Sequence, residues 1–111
     1  MLEKGDCFDA ARTAIERALA IDPGNGPALL QSGQFHTMMA FRNGDDTARG
    51  VALLERAAAD ARLTPRQRAE VAFYRAIAER ANGNEAGAKQ RFGEALACDP
   101  SFKPALIAQM G

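Results

Sequence analysis

His36 is the only histidine in the 111-residue chain, so any imidazole chemistry rests on it. A helical metal site places a second ligand one turn away. Ser32 and Ala40 stand at those places, and neither is a suitable ligand. His36 therefore reads as a histidine at a seam between helices. The two thiols are Cys7 and Cys98. A nucleophilic thiol needs an activating base, and neither cysteine has a neighbouring histidine or a CxxC spacing. Both read as free, mostly buried thiols. They fall in equivalent helices at opposite ends of the chain, which argues against a bridge between them. Gly24-Asn25-Gly26 and Gly83-Asn84 precede helices as phosphate loops do. They lack the strand and the Lys-Ser/Thr or GxGxxG context of such loops, so they read as turns. The segment from Arg62 to Arg68 is locally basic and offers a place for phosphate or an acidic peptide. Asp60 and Glu70 offset that charge, which favours a solvated turn. With no catalytic constellation, the expectation is a non-enzyme with no metal and no cofactor.

Bulk composition narrows the class. Hydrophobic residues make up 47% and charged residues 25%, a balance that folds rather than stays disordered. Fourteen basic side chains match fourteen acidic ones, so no general attraction to nucleic acid or anionic membrane is expected. No run approaches the roughly 18 apolar residues of a membrane span. The start, Met-Leu-Glu-Lys-Gly-Asp, has no apolar secretory core. A cytoplasmic location is the expectation, and free thiols fit a reducing compartment.

The elements that must position these residues come from an internal repeat. Gly5-Asp6, Gly44-Asp45 and Gly83-Asn84 recur at a constant shift of 39. Each is followed by the same spacing: Ala11, Ile15, Ala18, Leu19, Pro23; then Gly50, Leu54, Ala57, Ala58, Arg62; then Ala88, Phe92, Ala95, Leu96, Pro100. Steps of three and four put each set on one helical face. Asp6, Asp45 or Asp46, and Asn84 are candidate N-caps. Asp22-Pro23 and Asp99-Pro100 stop two of the helices. Thr64, Pro65 and Gln67 form a capping box that starts another. The intervening helices match at the same shift: Gly33 with Ala72, Phe35 with Tyr74, Met38 with Ile77. The spacing predicts helices at about 6–21, 27–42, 46–61, 65–81, 85–98 and 103–110.

Helical hairpins with small residues at fixed slots and a closing Asp-Pro resemble tetratricopeptide repeats. Residues 83–100 match best, with Gly83, Ala88, Phe92, Ala95 and Pro100 in the places of the second-helix pattern. Residues 6–23 match through Phe8, Ala11, Ile15, Ala18 and Pro23, and residues 45–62 more weakly. Gly33 alone keeps its type in the first-helix signature. The period of 38–39 residues exceeds the family's unit of about 34, which makes the first helices about one turn longer. The resemblance implies an all-α fold: a right-handed α-α superhelix, or solenoid, of antiparallel hairpins. It would have about five helices plus a short C-terminal one, in a single domain over 1–111.

The resemblance also implies a function, a scaffold that binds a protein or peptide on the concave face of its first helices. Two stripes lie there at helical spacing: Gln34, Met38 and Phe41, and, one repeat later, Phe73, Ile77 and Arg80, with Leu30 preceding the first. The same spacing suits core positions between repeats, so groove and core both remain open. The carboxylate-clamp type of the family holds partner tails with Lys, Asn and Arg. Here Leu30, Gln34, Glu70, Phe73 and Ile77 stand in the comparable places, so that type is not expected. A second expectation is a homo-oligomer through apolar ends, with Phe8 and Ile15 at one and Leu106, Ile107 and Met110 at the other. The same ends fit a piece of a larger multi-domain protein.

Overall fold

The computed structural model describes the backbone of residues 4–105 and the side chains of residues 10 and 12–105. All of its regular structure is helical. The five complete elements are α1 (Lys4–Ile21), α2 (Gly26–Asn43), α3 (Ala48–Ala58), α4 (Pro65–Ala81) and α5 (Glu85–Cys98). A sixth helix begins at 103. The expected extent of this helix to 110, with Leu106, Ile107 and Met110, lies outside the described residues, as do the side chains of Cys7, Phe8 and Ala11.

Local signals set most of these limits. Thr64 and Gln67 exchange the two bonds of a capping box, 2.9 and 3.1 Å, at the start of α4. Asn25 and Asn84 accept the third amides of α2 and α5, from Ala28 at 3.0 Å and Gly87 at 2.9 Å. Gly44 and Gly83 take the left-handed backbone, φ 72° and 80°, that ends a helix without a Cβ penalty. Three expected limits change. The third helix starts at Ala48 with Thr47 at its N-cap position, so neither Asp45 nor Asp46 is the N-cap, although Asp46 accepts the Ala48 amide at 2.9 Å. Gly5 and Asp6 lie inside the first turn of α1, so Asp6 is not its N-cap. The third helix ends at Ala58 rather than near 61. It stops because the amides of Ala59 and Asp60 turn back to the carbonyls of Arg56 and Ala57, and Asp60 then organises the loop.

The helices pack as two hairpins. α2 lies on α3 and α4 lies on α5; α2 and α4 stand side by side, α3 also meets α4, and α1 rests on α2. The first hairpin encloses Leu29, Leu30, Leu54, Ala57, Leu63 and Val71. The second encloses five alanines of α4 and α5 around Phe92, closed by Phe102 and Ala105. The extents, 37 × 32 × 27 Å, are those of a globule.

Alanine and glycine let the helices approach closely. A Cβ on Gly33 would fall 2.8 Å from Cγ of Leu54. A Cβ on Gly50 would fall 2.8 Å from the backbone nitrogen of Thr37 and closer still to its hydroxyl. Thr37 is fully buried in that contact, and its Oγ1 has no hydrogen-bond partner among the described residues.

Candidate interaction surface

The face of α2 that carries Leu30, Gly33, Thr37 and Ala40 is buried. The positions between them form the opposite face. There Gln31, Gln34, Phe35, Met38, Met39 and Arg42 line a shallow groove of about 410 Å³. Phe41 is 43% exposed and Met39 39%, two of the three large apolar side chains most open to solvent among the described residues. The third is Ile21, at the end of α1.

The seven residues expected at a partner surface separate into two groups. Gln34 and Met38 share the groove, and Phe41 lies exposed near the end of the same helix. Leu30 is 3% exposed and belongs to the core of the first hairpin. Phe73 packs its ring 5.6 Å from both Phe92 and Phe102, and Ile77 lies against the same cluster. Arg80 holds its guanidinium 5.1 Å over the Phe92 ring and pairs with Glu85 at 3.5 Å. The stripe on α4 is thus largely occupied by α5 and the segment after it, whereas the stripe on α2 is open.

A second concavity, about 600 Å³, lies between α1, α2 and α3. Ile15, Leu19, Phe35 and Leu53 give it apolar walls, and Arg12, Glu16, His36, Arg49 and Arg56 bring charge or a titratable ring to it. His36 sits at this seam, edge-to-face with Phe35 at 5.5 Å. Its pKa lies below the ordinary histidine value, first because burial disfavours the imidazolium and then because Arg49 and Arg12 repel it. Among the described residues no group of three or more His, Cys, Asp or Glu side chains could hold a metal ion.

The basic segment from Arg62 is neutralised by the nearby acids Asp60 and Glu70 and by Asp22 and Asp99 from other loops. Arg62 bonds Asp60 at 2.9 Å and Asp22 at 3.1 Å. Arg66 pairs with Glu70 and stacks its guanidinium 4.6 Å over Phe102. Arg68 donates to the Asp60 carbonyl at 3.2 Å. Asp60 is the hub: its carboxylate also accepts the amide of Gly26, the first residue of α2, at 2.8 Å. Its pKa is held well below the usual carboxylate range, chiefly by the Arg62 side chain, then by the Arg62 and Gly26 amides. The geometry belongs to a strut between loops.

The sequence carried a signal for this strut. Asp22, Asp60 and Asp99 recur at steps of 38 and 39. Each accepts the amide two positions on, from Gly24, Arg62 and Ser101, at 3.1, 3.0 and 3.1 Å. The aspartate is the repeated feature, and the proline after it is optional. Cys98, expected to be mostly buried, is exposed, because it occupies the last position of α5, past the buried Ala95. No helix among the described residues is long and apolar enough to cross a membrane. Compared with known protein families, curated proteins and solved structures, the chain matches none.

Proposed function

We propose that the chain is a non-catalytic interaction module of the tetratricopeptide type, its hairpins stacked as a short right-handed superhelix, and that it holds a peptide or helix of a partner protein against the outer face of α2. The observation that carries this reading is the open apolar stripe on α2. Met38, Met39 and Phe41 are presented to solvent or to a shallow groove, flanked by the amides of Gln31 and Gln34 and by Arg42. Apolar centres with polar rims are the surfaces that bury well against a partner. The equivalent stripe on α4 has its own cover, so the partner surface narrows to Gln34, Met38 and Phe41.

A capture experiment on extracts tests the reading. Wild-type protein should retain a specific partner that Met38→Asp and Phe41→Asp lose, with far-UV circular dichroism unchanged. Retention by both variants would sink it. Self-association through the exposed Ile21 is the second reading, and a strict monomer in concentrated sedimentation runs excludes it.

A further inference from the structure

We propose that the cleft between α1, α2 and α3 is a binding site for a small amphiphile with an apolar tail and a carboxylate head. This inference does not rest on the partner surface of α2.

The repeat supplies its own control. The same seam in the next hairpin, between α3, α4 and α5, holds a space of about 190 Å³ lined by Ala58, Val71 and Arg75. Leu19, Ser32 and His36 are the counterparts of those three, one repeat earlier, and line the first cleft. The first cleft is about 600 Å³, which falls within the roughly 300–1,000 Å³ of small-molecule sites. One chain pattern thus yields a seam of about 190 Å³ in one hairpin and a ligand-sized one of about 600 Å³ in the other.

The charges differ in the same direction. At the smaller seam Arg75 pairs with Glu55 at 3.4 Å and Arg68 donates to the Asp60 carbonyl at 3.2 Å. At the open cleft Arg12 and Arg49 have no ion-pair or hydrogen-bond partner among the described residues. Arg56 donates to the Pro23 carbonyl at 3.1 Å, and Glu16 is the only acid among the described lining residues. Two guanidiniums without a partner among the described residues, beside apolar walls, suit an anionic head on an apolar body. The planar guanidinium fork accepts a carboxylate in two parallel bonds. The apolar walls, Ile15, Leu19 and Leu53, give the tail its burial. The groups around His36 agree with the sign of the field: Arg12 and Glu16 from α1, Arg49 and Arg56 from α3, three cations to one anion.

Decanoate is the probe, titrated into the full chain by calorimetry and followed by NMR, with decyltrimethylammonium as the same tail on the opposite charge. Decanoate should bind and shift the resonances of Leu53 and His36, the ammonium should bind at least tenfold more weakly, and the Arg12→Glu/Arg49→Glu variant should lose at least tenfold in affinity for decanoate. Equal binding of the two probes, unaltered affinity in the variant, or shifts confined to α4 and α5 would each overturn the proposal. Should the variant fail to fold, the wild type decides.

Discussion

The contact between Gly50 and Thr37 sets how closely α2 and α3 approach, and Gly50→Ala tests it. The added Cβ would lie 2.8 Å from the Thr37 nitrogen and 3.0 Å from its Cα, inside ordinary van der Waals contact. The nearest obstacle is the buried Thr37 hydroxyl and the next is its backbone, so relief in the single variant requires α2 and α3 to separate. Overpacking of this kind costs about 1–3 kcal/mol, and the rigid obstacle places it near the upper end. Alanine regains about 1 kcal/mol of helix propensity over glycine. The net loss is about 2 kcal/mol, or a fall in Tm on the order of 10 °C for a domain of this size. The second hairpin shows how the loss can be relieved. There Ala76 stands in the place of Thr37 and Ala88 near that of Gly50, and both are fully buried in one cluster. A Thr37→Ala change removes the buried hydroxyl and makes room for the new methyl. The double variant Thr37→Ala/Gly50→Ala should therefore recover at least half of the stability lost in Gly50→Ala. Urea unfolding of the four proteins of this cycle, followed by circular dichroism, measures the coupling. Additive effects, or a Gly50→Ala variant as stable as wild type, would show that the close approach does not govern this interface.

Asp60 has a folded-state pKa below its unfolded value of about 3.9, so its contribution is complete above that pH and is lost as pH falls through the folded value. Asp60→Asn should lower stability at neutral pH and flatten the acid limb of the stability–pH curve below pH ~4; an acid limb identical to wild type would remove Asp60 from that role. Phe73→Ala should cost about 3 kcal/mol in urea unfolding, the lower end for a buried aromatic, because the ring bridges Phe92 and Phe102 while remaining partly exposed. Met38→Asp, at a groove position, should stay within about 0.5 kcal/mol of wild type in the same denaturation assay; a large loss there would make position 38 part of the core.

The sequence is most legible where the physics is local. The capping box of Thr64 and Gln67, the Asn84 cap and the left-handed glycines each involve residues within a few positions, so type and spacing fix their geometry. The hub at Asp60 and Arg62 joins residues of separate loops, and nothing in the local sequence names Gly26 as the partner of Asp60 or Asp22 as that of Arg62. Only the register of the repeat could reveal it. Pro23 and Pro100 are the more conspicuous markers of that register, whereas the hydrogen bonds follow the aspartates.

The two stripes show a deeper limit. Gln34, Met38 and Phe41 have the same spacing as Phe73, Ile77 and Arg80, and a helical period identifies a shared face without saying what lies against it. Cover at the second stripe comes from outside its own helix: Phe92 on α5, and Phe102 from the segment after it. The register contains the counterpart of Phe102. Leu63 stands one repeat earlier and is buried, but it lies in the cluster with Leu30 and Val71. At the slot equivalent to Phe73 stands Gln34, whose amide adds polarity to a groove lined by Phe35, Met38 and Met39 instead of a ring to a core. Substituting one aromatic by glutamine thus changes the environment of the stripe while its spacing stays constant. Side-chain type, at position 34 and at Leu54 and Leu63 where the next repeat has Phe92 and Phe102, rather than periodicity, separates the open face of α2 from the covered face of α4.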